Sequence, residues 1–282
     1  MSEKPWLLKV DKTSWDVFSN WDYQPVFEIN NLIQGWKLFP PLFQSFEKCY
    51  ELEKKEILRS LEIWNEKLES LGGDPSFINW RRFRPLQMDR EEDWSDWLAH
   101  LIEKSKTGYF SRALFRLSSP MCGEAVTVDR ETEHDGYRAD LIIKCGNGSH
   151  IHVEVKTGDP NLEKTYETAR KMRKRYRSRW TSWADFILLL ESQVAQWKEI
   201  KDTGAEIIPY LTWENVAIAL RRSLLFSSEP VPWKSWAYAF LGAIEQTLLN
   251  HPYIDTDKKE IRGYYFLDSM ITVLKEGLED EK

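Results

Sequence analysis

From Trp94 the apolar residues fall at Trp94, Trp97, Leu98, Leu101 and Ile102. This is the i, i+3, i+4, i+7, i+8 spacing of a helix with one buried face. Asp89 precedes it as an N-cap candidate, and the acidic residues of the first turn suit the positive end of the helix dipole. Upstream, Tyr50, Ile57, Leu61, Ile63, Trp64, Leu68 and Leu71 recur at roughly helical spacing among Glu and Lys, until Gly72-Gly73 stops the pattern. Pro75 and Pro85 then mark a connector, and a boundary near residue 85 is expected. Residues 1–45, rich in aromatics and Pro, show no helical period and read as short strands or an irregular wrap.

Beyond residue 105 the period changes. Strands are predicted over Glu124–Arg130, Tyr137–Lys144 and His150–Thr157, a helix over Asn161 to Arg179, and a buried strand over Phe186–Leu190. A strand over Ile207–Leu211 and a helix over Trp213–Leu225, capped by Thr212, complete a run of α, β, β, β, α, β, β, α. That order implies an α/β fold with a mixed sheet, meander first and crossover second. Two further helices, Trp233–Leu249 and Tyr264–Leu274, close the chain. The expected organisation is an accessory region over 1–85, a core over 86–226, and C-terminal helices over 227–282 that pack on the core or form an oligomer interface.

Composition narrows the class. The chain has 282 residues, 42% hydrophobic and 30% charged, as in a soluble globular protein, with 14 Trp to supply core area. A net charge of −6 means that nucleic acid could bind only through a local basic patch. Cys49, Cys122 and Cys145 form neither a disulfide framework nor a zinc spacing. With no signal-like N-terminus and no long apolar run, a reducing, cytoplasmic setting is expected and a membrane partner is not.

The candidate chemistry sits in YRADLIIKCGNGSHIHVEVKTGD, Tyr137 to Asp159. Side chains alternate along a strand, so His150, His152, Glu154 and Lys156 share one face and Ile151, Val153 and Val155 the other. A two-residue loop at Asn147-Gly148 would set Asp140 opposite Val155, away from Glu154. A loop of three residues, Gly146 to Gly148, sets Asp140 opposite Glu154 with Cβ atoms about 5 Å apart; a five-residue loop does the same. Two carboxylates in one place need a shared proton or a cation, and Mg²⁺ prefers such ligands with water and phosphate. A nearby Lys can stabilise a phosphate under attack. His150 and His152 have no third nitrogen or sulfur ligand nearby in sequence and are expected to face substrate or solvent.

Asp140, thirteen intervening residues and Glu154-Val155-Lys156 resemble the motif of the PD-(D/E)XK nuclease superfamily, although no Pro precedes Asp140. The resemblance covers roughly residues 86–226. It implies a restriction-endonuclease-like core: a mixed central sheet flanked by helices, with the site on a strand hairpin. It also implies that Asp140, Glu154 and the backbone carbonyl of Val155 ligate Mg²⁺ (Mn²⁺ as substitute), and that Lys156 orients the attacking water. Many members place a Glu on the preceding helix, and Glu91, four residues before Ser95, is similar. At 100° per residue Glu91 lies about 60° from the apolar stripe and Glu92 about 160° away, so Glu91 is the expected catalytic acid, with Asp93 next.

After the hairpin, Arg170 to Arg179 holds seven basic residues, Arg170, Lys171, Arg173, Lys174, Arg175, Arg177 and Arg179, and no acid. Such a row is a candidate nucleic-acid contact, neutralising phosphates without reading sequence. The expectation is a Mg²⁺-dependent endonuclease acting on DNA, in the manner of restriction or prokaryotic defence. The alternatives are a ribonuclease and a non-catalytic nucleic-acid-binding or assembly module that retains the fold. A homodimer, with Trp233, Trp236, Tyr238 and Phe240 as candidate interface, and a partner protein at the N-terminal region are further expectations.

Overall fold

A computed structural model of the chain describes residues 29–81, 88, 90–115, 125–134, 136–176, 182–201, 208–255, 261 and 267–279. The chain forms two compact units, Met1–Glu51 and Leu52–Lys282. The division falls inside helix α1, Ile29–Lys67, and not near residue 85. Residues 29–45, expected as strands or an irregular wrap, are helical. Among the described residues no helix is long and apolar enough to cross a membrane.

In the second unit a five-stranded sheet runs in the order β1 (Ala125–His134), β2 (Tyr137–Cys145), β3 (His150–Val155), β4 (Trp183–Leu189) and β5 (Tyr210–Thr212). The first three strands are antiparallel, and β3, β4 and β5 are parallel. The other described α-helices are α2 (Glu91–Lys104), α3 (Tyr109–Phe115), α4 (Leu162–Tyr176), α5 (Glu191–Lys201), α6 (Trp213–Phe226), α7 (Val231–Ala243) and α8 (Leu267–Leu278). The fold is α/β with a mixed sheet. Asp89 lies outside the described residues; Arg90 occupies the N-cap of α2 and its N–H donates to the Asp93 carboxylate at 2.9 Å. Thr212 caps α6, with the Asn215 side chain accepting from the Thr212 N–H at 3.0 Å. Ile207 and Tyr264 lie outside the described residues, and the expected helix Trp233–Leu249 ends as a π-turn, Ile244–Leu248.

Both faces of the sheet are covered. Leu162, Ala169 and Trp197, from α4 and α5, pack on Ile187 and Leu189 of β4. Phe186, alternating onto the other face, meets Phe115 of α3 at 5.2 Å between ring centroids. On α2, Trp94 packs edge-on against Trp213 of α6 at 5.6 Å and beside Phe240 of α7 at 6.0 Å. The Trp233 indole donates to the Leu101 carbonyl at 2.8 Å. Trp233, Tyr238 and Phe240 are therefore committed to packing within the chain, and only Trp236 of the expected interface is exposed.

A buried ion cluster ties the C-terminal helices to the segment after α1. Arg221 of α6 donates to both oxygens of Glu245, at 2.7 and 2.9 Å, and to both of Asp74, at 2.6 and 3.3 Å. Its guanidinium lies 4.7 Å from the Trp64 ring centroid, and none of Arg221 or Asp74 reaches solvent.

The hairpin joining β2 to β3 turns over Gly146–Gly148. The Cys145 N–H donates to the Ser149 carbonyl and the Gly148 N–H to the Cys145 carbonyl, both at 2.9 Å. Gly148 has φ +83°, the left-handed conformation a three-residue loop requires. A Cβ there would meet nothing within 4 Å, so the cost of Gly148→Ala is backbone strain alone. That variant should lose about 1 kcal/mol in urea unfolding; an unchanged midpoint would remove the turn from the determinants of register.

Candidate active site

The turn sets the register. Leu141 stands opposite Val153, Ile142 opposite His152, Ile143 opposite Ile151 and Lys144 opposite His150. One step further along the same register Asp140 faces Glu154. Asp140 closes the pairing with its side chain, accepting the Val155 N–H at 2.8 Å. The Val155 side chain points into the core, leaving its backbone between the two acidic positions and Lys156. Beyond the strand, the Lys156 N–H donates to the Leu188 carbonyl at 2.8 Å, and the Trp213 indole donates to the Lys156 carbonyl at 2.9 Å. The position of the lysine is thus fixed through its backbone.

Glu91, in the first turn of α2, meets this strand end. One oxygen accepts from the Lys156 ammonium at 2.5 Å and the other from the Thr157 N–H at 3.1 Å. Glu91, Asp140, Glu154 and Lys156, some 60 residues apart at the extremes of sequence, converge at one end of β2 and β3. Asp93 does not join them, being held by Arg90 in the helix cap.

The second oxygen-bearing face runs inward. Glu154 accepts from His152 Nε2 at 2.9 Å, His152 Nδ1 donates to Asp185 at 3.0 Å, and the other oxygen of Asp185 accepts from Arg173 Nε at 2.5 Å. His152 is fully buried and faces neither substrate nor solvent, contrary to expectation. Burial alone would lower its pKa, but its hydrogen bonds to Asp185 and Glu154 and their negative charges prevail and raise it to about 9, which favours the imidazolium at neutral pH. Burial likewise opposes ionisation of Asp185, and His152 and Arg173 overcome it to hold the carboxyl below its ordinary value.

The charges nearly balance. Lys156, His152 and Arg173 face Glu91, Glu154 and Asp185. Asp140 is the additional acid. Burial and the charge of Glu154 push it up to about 7, against the pull of the Val155 N–H and Lys156. Lys156 goes the other way. Burial would lower it, yet its bond to Glu91 and the charges of Asp140, Glu91 and Glu154 raise it above its usual value, so it remains an ammonium.

This has a measurable consequence. A carboxyl whose folded pKa exceeds its unfolded value, near about 3.9, stabilises the fold below that value and loses the contribution as pH rises towards about 7. Asp140→Asn can still accept from Val155. In thermal melts without divalent ions it should gain on the parent between these limits, by up to about 1.4 kcal/mol per pH unit. A parent–variant difference that stays flat from acid to neutral pH would contradict this.

The basic row divides. Arg170, Lys171 and Lys174 are exposed on α4, with the Lys171 ammonium 4.0 Å from the Tyr137 ring centroid. Arg175 is half-buried, its guanidinium 5.3 Å from the Tyr176 ring centroid. Arg173, expected among the phosphate contacts, turns inward to Asp185 because α4 lays that side against β4. Arg177 and Arg179 lie outside the described residues.

As to metal, no group of three or more His, Cys, Asp or Glu side chains is arranged to hold a metal ion among the described residues. Asp140 and Glu154 form a pair of hard oxygen donors. Among the described residues one oxygen of each, Asp140 Oδ1 and Glu154 Oε2, accepts no hydrogen bond. This donor set fits Mg²⁺ or Mn²⁺, which take one or two carboxylates and complete their shell with water and phosphate, better than it fits zinc. Sequence reasoning missed the His152–Asp185–Arg173 connection; its one signal was Asp185, a lone acid at the start of an apolar strand. Compared with known proteins, the chain matches no family model, no curated protein and no solved structure.

Proposed function

We propose that this protein is a divalent-metal-dependent phosphodiesterase, an endonuclease acting on DNA, with a restriction-endonuclease-like core. The observation that carries the proposal is the meeting of Asp140 and Glu154 across the hairpin, with the Lys156–Glu91 pair at the same strand end. The α/β order and the mixed sheet are compatible with the PD-(D/E)XK pattern that Asp140, Glu154, Val155 and Lys156 resemble.

In this scheme a Mg²⁺ or Mn²⁺ ion held by Asp140, Glu154 and the Val155 carbonyl supplies Lewis acidity to water and phosphate. Lys156, kept protonated by its acidic neighbours, donates to the attacking water or to a phosphate oxygen and serves as a fixed positive charge, not as a base. Glu91 aims that ammonium. The exposed Arg170, Lys171 and Lys174 offer a sequence-independent phosphate contact. Defence or restriction against foreign DNA is the proposed setting.

The test is digestion of duplex DNA, single-stranded DNA and RNA in parallel, with Mg²⁺, with Mn²⁺ and with EDTA. Duplex DNA should be cut in either metal, to 5′-phosphate and 3′-hydroxyl ends, and EDTA should stop it. Cleavage of RNA alone would make the protein a ribonuclease. Binding without cleavage in any metal would leave a non-catalytic module.

A further inference from the structure

Glu154 is reached from two directions. Asp140 meets it from the neighbouring strand, and His152, two residues back on the same face of β3, holds its Oε1. Behind His152 the chain continues through Asp185, directly opposite on β4, to Arg173 on α4. Three adjacent elements are therefore linked, one behind the other, to one carboxylate oxygen. We propose that His152, backed by Asp185 and Arg173, is a positioning residue that holds Glu154 by one oxygen and leaves the other, with Asp140, for a single divalent cation. This rests on the metal-dependent reading above.

Core filling does not account for the chain. Ile142, directly opposite His152, is apolar, as is Ile187, next after Asp185 on the same face of β4. An aliphatic side chain at 152 would suit those neighbours without burying two ring nitrogens that each need a partner. The bonds are also directional. With both ring nitrogens engaged, the imidazole cannot rotate, and Glu154 is oriented by a partner that is itself oriented. Partners that fix a ligand in this way typically carry 10–100-fold in metal affinity. On the Asp140 side, Oδ2 is engaged by the Val155 N–H, so each acid has one oxygen without a hydrogen bond among the described residues. Two such oxygens suit one cation completed by water and the Val155 carbonyl.

The experiment measures Mn²⁺ binding to the full-length protein by electron paramagnetic resonance, beside thermal melts. The parent should bind one ion. His152→Gln should weaken that binding about 10–100-fold. Because a buried substitution can impair folding, Arg173→Met at the far, part-exposed end of the chain provides a second reading. It should weaken Mn²⁺ binding in the same direction by a smaller factor, and Arg173→Lys should recover part of the loss. A merely structural role would lower the melting temperature and leave the affinity of folded protein unchanged. Parental affinity in both His152→Gln and Arg173→Met overturns the positioning role while leaving the metal-dependent reading intact. Two ions bound by the parent overturn the single-cation site. No Mn²⁺ bound by the parent overturns the positioning role and the metal-dependent reading together.

Discussion

Lys156→Met should reduce Mg²⁺-dependent cleavage by about 10²–10³-fold, the magnitude typical of removing one preorganised donor aimed at developing charge. Lys156 is 8% exposed and its ammonium is clamped by Glu91, so on the proposed function it needs no reorganisation when a phosphate approaches. Its removal also leaves Glu91, Asp140 and Glu154 facing one another without it, which disfavours an anionic substrate at the same place. Lys156→Arg should not restore full activity, because the planar guanidinium is larger and distributes its charge differently. Glu91→Gln should cost less, since the amide oxygen can still accept from Lys156, although the charge of the clamp and the acceptor for the Thr157 N–H are lost. The measurement is single-turnover cleavage at saturating metal, with circular dichroism to verify folding. Cleavage by Lys156→Met at the parental rate would remove the lysine from the chemistry.

Arg221→Met should destabilise the second unit by about 3–5 kcal/mol, the usual result of stripping one partner from a buried ion pair. Two carboxylates would then be stranded, with Asp74 wholly inaccessible and Glu245 at 1% exposure. For a body of this size that corresponds to a fall in melting temperature of roughly 6–20 °C. The damage should be partly reversible. Arg221→Met combined with Glu245→Gln removes one stranded charge and should recover stability relative to the single variant. Asp74 is the less replaceable acid, because its carboxylate also caps the short helix Pro75–Phe77 through the Ser76 N–H at 2.9 Å. Urea melts of the single and double variants settle the matter. A loss below about 1 kcal/mol for Arg221→Met would mean that solvent reaches the cluster.

Local signals in the chain explain which parts of this picture could be anticipated. The alternation in β3 put His152, Glu154 and Lys156 on one face, and an odd-length loop would set Asp140 opposite Glu154, but the sequence left the loop length open and the three-residue turn of the structure decides it. Glu91 was legible from helical phase, since only one side of the first turn can reach the sheet. The parallel pairing of β3 with β4 offers no comparable handle. A helix separates the strands, and no loop length fixes which residue of one faces which of the other. His152 opposite Asp185 was therefore invisible, and Arg173 was grouped with its exposed neighbours. Helix α5 escaped notice because, of its described side chains, only Val194 and Trp197 are buried apolar ones, too few for a convincing stripe. Helix α3 is too short for periodicity to register. The Arg221 cluster joins residues 74, 221 and 245, a set that only the folded chain assembles.

The tryptophan at the start of α6 grips position 156 by its main-chain oxygen, not by its side chain. The amine can therefore be exchanged while the backbone stays anchored. A cysteine placed there and alkylated with a haloethylamine would rebuild a lysine-like group bearing sulfur, and homologous reagents would vary its reach one methylene at a time. The site thus offers a built-in ruler for how far a positive charge must extend to act on the phosphate of the proposed substrate.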